Sequence, residues 1–345
     1  MSSKLLALAG VALVTTTVSS AAEARTQMRA VGSSTVYPFA KIVSEKIAQA
    51  NPRLGTPIIE STGTGGGMKL FCAGVGERFP DVANASRRMK ASEAKACEAH
   101  GVNQVTEIQV GIDGIAFATA KRTPLANVTT REIYMALAKM PFGKPNRTKT
   151  WRDVNPKLPP LPIRVYGPPP TSGTRDALVE LIMTSGCESN PAMGAVKKSD
   201  ENKYKAICTT MREDGGFIEA GENDNLIVQK LEANPGTVGI FGYSYLEENA
   251  DKLKGLLING VQPTYANISA FKYPGARPLF IYIKNAHAGA VPAVRAYAAE
   301  FTKESAFGPG GYLSKAGLIA SPTPVRAKSQ QVARKLQPLN FAALK

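Results

Sequence analysis

The chain predicts an α/β protein of two lobes, and three observations carry that expectation. Short apolar segments alternate with amphipathic ones, as strands and helices do in sheets covered on both faces. One apolar run, residues 108–120, is long enough to leave one lobe for another. Without an N-terminal leader about 320 residues remain, more than one compact core usually organises. Each lobe is expected to hold a mixed, mostly parallel sheet flanked by helices.

The elements follow in chain order. Residues 28–31 read as a strand, and 38–50 as a helix with Phe39, Ile42, Val43 and Ile47 at helical spacing. Residues 57–60 are a second strand and 66–72 a second helix. Residues 81–85 and 92–101 repeat the pair before the long strand 108–120. Residues 130–139 form a helix with Thr129 or Thr130 as its N-cap. Strand 163–166, helix 174–184, helix 225–232 and strand 238–241 build a second α/β unit. Strand 279–284 is expected to return the chain to the first lobe, where 291–303 adds a helix. The proline-rich stretches 156–162 and 168–170 are rigid connectors, and no internal repeat is present.

The N-terminus predicts export. Residues 1–24 carry Lys4, an apolar run over 5–14, and the small-x-small site Ala22-Glu23-Ala24. The run is too short to span a bilayer, and no cysteine follows it to take a lipid. A periplasmic, soluble product cleaved near Ala24 is the expectation. Four cysteines, Cys72, Cys97, Cys187 and Cys208, suit an oxidising compartment, and local pairing gives 72–97 and 187–208. Neither pair has metal-ligand spacing, and with only two histidines no metal site is expected. The net charge of +15 favours acidic ligands, but its lysines and arginines are scattered without interleaved aromatics, which argues against nucleic acid.

Three segments share one chemistry. Gly32-Ser33-Ser34-Thr35-Val36-Tyr37-Pro38, Ser61-Thr62-Gly63-Thr64-Gly65-Gly66-Gly67-Met68-Lys69 and Pro170-Thr171-Ser172-Gly173-Thr174-Arg175-Asp176 each put hydroxyls and glycines where a helix begins. The first N–H groups of a helix lack intrahelical partners and carry partial positive charge. Converging, three such ends make an oxyanion receptor that uses neither metal nor nucleophile. Each Ser or Thr taken singly is also an ordinary helix cap. Gly63–Lys69 does not match the Gly-x-x-x-x-Gly-Lys-Ser/Thr phosphate loop, Gly-x-Ser-x-Gly is absent near these segments, and no metal-ligand set supports a phosphatase. The chain is therefore read as a binding protein, not an enzyme, and needs no cofactor.

Together with Asn84-Ala85-Ser86-Arg87, and in this order, these segments resemble the periplasmic phosphate-binding proteins of the phosphate ABC importer, the PstS/SphX type. The resemblance covers nearly the whole mature chain. It implies a type II-like periplasmic binding protein fold, with lobe 1 over 25–118, lobe 2 over 119–272, and 273–345 returning to lobe 1 with the C-terminal helices. It implies closure on inorganic phosphate by Ser34, Thr35 and the Val36 N–H, by Thr64 and Gly65, by Ser86 and Arg87, and by Ser172, Gly173 and Thr174. It also implies a monomer that delivers phosphate to permease subunits in the inner membrane.

One departure bears on selectivity. Enterobacterial-type members carry an aspartate after the Ala-Ser pair and an arginine four residues before Ser-Gly-Thr, where this chain has Arg87 and Pro168. Arg87 is therefore expected to bring the cation, forking two donors onto the ligand. The carboxylate that would accept the ligand's proton, and so reject sulfate, falls to Asp113 in Gly111-Ile112-Asp113-Gly114, which alternatively serves as a hinge. A receptor for sulfate or molybdate, or a phosphoester hydrolase, is the competing reading.

Overall fold

The computed structural model describes residues 27–170, 172–221 and 224–344. The expected leader, 1–24, and Thr171 lie outside them. Among the described residues no helix is long and apolar enough to cross a membrane.

The first lobe begins with β1 (Arg29–Gly32), which runs parallel to β2 (Ile58–Ser61) on one side and to β3 (Val82–Ala85) on the other. Helix α1 (Tyr37–Ala50) follows β1, α2 (Gly63–Phe71) follows β2, and α3 (Ala91–Ala99) follows β3. All four residues of β3 are buried, as a strand covered on both faces requires. Helix α2 starts three residues before the expected position. A Cβ on Gly67 would come within 2.4 Å of the Gly32 Cα, so the glycine run lets helix backbone lie directly on strand backbone.

Strand β4 (Val105–Ala120) is the long crossover foreseen in the sequence. The second lobe adds β5 (Asn127–Val128), α4 (Thr130–Leu137), β6 (Val165–Gly167), β7 (Phe217–Glu219), β8 (Val238–Gly242), β9 (Leu253–Gly255) and β10 (Leu257–Ile258). The Thr129 hydroxyl caps α4, accepting the Glu132 N–H at 3.1 Å. Strand β11 (Ala276–Lys284) then returns beside β4. The nine-stranded sheet has the order β2-β1-β3-β11-β4-β8-β6-β7, with β9 on β4. The outer strands of each lobe pair in parallel, whereas β11 and β4 pair antiparallel with their neighbours because they carry the chain between lobes.

Side-chain alternation on β11 shows how the first lobe is covered. Ile281 and Ile283 join Val43, Ile47 and Tyr297 on one face, while Phe280 and Tyr282 join Met68 and Phe71 on the other. A second large core, built on Phe117, Tyr134, Trp151, Ile182 and Ile240, fills the other lobe. Disulfides join Cys72 to Cys97 and Cys187 to Cys208, one in each lobe, as the local pairing foretold.

Candidate functional site

The segments singled out in the sequence follow β1, β2 and β3 and precede the helix that begins at Gly173. Because β1 lies between β2 and β3, their following loops are neighbours. The Thr62 N–H donates to the Gly32 carbonyl at 2.9 Å and the Ser33 N–H to the Asn84 carbonyl at 2.9 Å. The N–H groups of Ser34 and Thr35 meet no carbonyl or side chain among the described residues. The Val36 N–H donates to the Ser33 hydroxyl at 3.4 Å, a long bond that an anion would have to share or replace. No side chain caps α2, which leaves its first N–H groups without a side-chain partner, and Gly65 is exposed with open space where a Cβ would be.

The Thr64 oxygen accepts the Ser86 N–H at 3.1 Å, and the two hydroxyls lie 3.0 Å apart. That contact uses one of their two protons and leaves the other to donate outward. Both side chains are buried.

Facing these loops, Ser172 caps the helix Gly173–Ala177, its hydroxyl accepting the Thr174 N–H at 3.2 Å. This helix continues through a π-helical stretch, Leu178–Met183, into Thr184–Glu188, so it starts one residue before the expected 174 and runs past the expected end. Gly173 presses on the first lobe: a Cβ there would stand 2.4 Å from the Thr35 Cα. The Thr35 hydroxyl donates to the Gly173 carbonyl at 3.2 Å, and the Ser34 hydroxyl donates to the Asp176 carboxylate.

Arg277, which the sequence reading passed over, sits at this junction with only 3% of its surface exposed. Its Nε donates to Asp113 at 3.0 Å, its Nη1 to Glu180 at 2.6 Å, and its Nη2 to the Thr35 hydroxyl at 2.6 Å and the Gly173 carbonyl at 3.2 Å. Arg277 and Asp113 face each other in the antiparallel register of β11 and β4. Burial pushes the Asp113 carboxyl up against the downward pull of Arg277. Burial, with a smaller contribution from the Asp113 charge, also lifts Asp224 to about 6, although the Gly242 N–H bonds it at 3.2 Å.

Arg87 takes another course. Its Nη1 and Nη2 donate to the two oxygens of Glu93 at 2.9 and 2.7 Å, and Nη1 also donates to the Arg88 carbonyl at 3.1 Å. Its pKa is raised chiefly by the Glu93 hydrogen bond. Burial pushes the Glu93 carboxyl up, but Arg87 and the Lys90 N–H outweigh it and hold the group below its usual range. The expected ligand cation is thus forked onto Glu93 at the head of α3, with its Nε–H and one Nη2 hydrogen left over. The structure brings Thr35, Gly173 and Asp113 around Arg277, ties Ser34 to Asp176, pairs Thr64 with Ser86, and turns Arg87 toward Glu93. A lone arginine heading the apolar strand 279–284 was the available signal for Arg277. The expected strand starts at 279, whereas β11 begins three residues earlier at Ala276 and so contains Arg277.

The model of the PBP superfamily domain matches residues 17–305, most of the chain, and defines the class of protein. Protein SphX of Synechococcus elongatus is 36% identical over 287 residues, which cover 81% of this chain and 74% of the relative. The phosphate-binding protein PstS of Staphylococcus saprophyticus is 32% identical over 256 residues, covering 73% and 68%. The crystal structure of a possible phosphate binding protein from Planctomyces limnophilus superposes with a TM-score of 0.70 at 28% identity, over 90% of this chain and 98% of that one. The chain belongs to the SphX/PstS family of phosphate-binding proteins, and is accordingly a binding protein rather than an enzyme.

Proposed function

We propose that this protein captures inorganic phosphate outside the cytoplasm by closing two lobes on it, and presents it to the permease of an ABC-type phosphate importer. The observation that carries the reading is the meeting of helix-start loops from both lobes at Thr35 and Gly173, with the buried Arg277 beside them. Family membership supports the ligand. On this reading the lobes are 25–118 with 273–345, and 119–272. Residues 1–24 are a cleaved export signal, the product is periplasmic, and it works as a monomer.

The ligand set consists of Ser34, Thr35 and Val36, Thr64 and Gly65, Ser86, and Ser172, Gly173 and Thr174, with Arg277 as the cation in place of Arg87. A guanidinium has five N–H donors. The four contacts of Arg277 leave one Nη1 hydrogen for the guest. Asp113 orients this arginine through one carboxylate oxygen and keeps the other for the ligand's proton. Ser34 takes part of that task. Its proton goes to Asp176, so it offers the guest lone pairs. Lone pairs suit the protonated oxygen of phosphate and oppose sulfate, which has no proton to give.

Calorimetric titration of the mature chain with phosphate, sulfate and molybdate tests the reading. Micromolar or tighter binding of phosphate, with sulfate and molybdate at least about a hundredfold weaker, is expected. An equal response to sulfate contradicts it.

A further inference from the structure

The helix that opens at Gly173 presents two carboxylates one turn apart, Asp176 and Glu180, toward the other lobe. Asp176 accepts the Ser34 hydroxyl from the loop before α1, and Glu180 accepts Nη1 of Arg277 at 2.6 Å on the crossover strand β11. Two carbonyl contacts of Gly173 complete the seam. The Glu180 charge also acts on Arg87, less than that of Glu93, so it reaches both arginines. We infer that Asp176 and Glu180 are a latch. They position the second lobe against Ser34 and Arg277, and the strength of these two bonds sets how fast the lobes reopen and release the anion. The inference rests on the reading of the cleft as a phosphate site.

The latch costs something at the site it closes, because two negative groups stand near a bound anion and repel it. Charge repulsion alone predicts that removing either carboxylate tightens phosphate binding. The latch predicts the opposite, since separating the lobes must break a charge-assisted bond to a buried guanidinium. The sign of the effect therefore decides. The Glu180 side chain is 47% exposed, so its share is expected to be moderate.

The experiment compares the mature chain with Glu180→Gln and Asp176→Asn. Stopped-flow release of phosphate is expected to be about three- to tenfold faster in each variant, with the association rate unchanged. Small-angle X-ray scattering in phosphate-free buffer provides a readout independent of the ligand, and a larger radius of gyration is expected in both variants. Melting curves confirm that each variant is folded, and Glu180, at the surface, is the safer of the two. Tighter binding, or release and dimensions equal to the parent, overturns the latch. If the parent fails to bind phosphate, the functional reading is lost while the scattering comparison still decides the latch.

Discussion

Arg87 and Arg277 carry the same guanidinium and meet opposite fates. Arg87, on the loop after β3, keeps 29% of its side chain exposed and is neutralised by a carboxylate six positions on. Arg277 keeps 4% and is held by residues from the first loop, the crossover and the second lobe, its Asp113 partner lying 164 positions away. A cation supplied within a motif can be claimed by its own helix cap. One supplied by strand register is fixed by the whole fold, and only the second kind reports on how the lobes meet.

Removing Arg277 is expected to have the largest effect. Arg277→Ala leaves the Asp113 carboxylate buried without its partner, which costs about 3–5 kcal/mol of stability. It should also weaken phosphate binding by about three orders of magnitude or more, as a calorimetric titration with a denaturant melt would show. Arg277→Lys keeps the charge but loses the fork and should fall between the two. If Arg277→Ala binds phosphate like the parent, the contrast drawn between the arginines fails.

Gly173→Ala sharpens the contrast from the other side. The new methyl meets the Thr35 backbone and wedges the lobes apart. About a hundredfold loss of phosphate affinity with little change in melting temperature is expected, from roughly 1–3 kcal/mol of overpacking at the seam. A large fall in melting temperature would instead place Gly173 within a core.

Asp224, within reach of the Asp113 charge, gives a pH signature that the Arg87–Glu93 pair does not share. Asp224 is lifted to about 6 in the folded chain. An acid with a higher pKa folded than unfolded binds more protons when folded, so stability falls as pH rises from about 4 to about 6 and then levels off. Asp224→Asn should remove that fall. It should stabilise the protein by about 1–3 kcal/mol at pH 8 and leave it nearly unchanged at pH 4, as read by melting temperature against pH. A variant no more stable than the parent at pH 8 would refute this. Glu93 is shifted the other way, so its pair with Arg87 is lost on acidification instead.

The smallest effect belongs to Arg87→Ala. Loss of a half-buried pair close to its own helix is expected to cost no more than about 1 kcal/mol, with less than about a fivefold change in phosphate affinity. A hundredfold loss would mean that Arg87 leaves Glu93 to hold the guest.

What the sequence made legible was local chemistry. Hydroxyls and glycines at helix starts are visible in a short window, and so are Thr129 as a cap, the alternation of strands with helices, and two disulfides spanning 25 and 21 residues. The long apolar run announced the crossover, because only a strand entering two cores stays buried over that length. What it hid was register. Nothing near Arg277 says that Asp113 stands opposite it, and nothing near Gly67 says that Gly32 touches it. Glu93, three residues into a helix start, could have been read as a claimant on Arg87, since such a residue commonly reaches back toward the cap.

A crystal structure of the mature chain grown with phosphate is the most direct test of the central claim. The account predicts one anion between the lobes, bonded to Nη1 of Arg277, to the Ser86 hydroxyl, and to N–H groups of residues 34–36 and 64–65. An anion held by Arg87, or one lying outside the seam between Thr35 and Gly173, would contradict it.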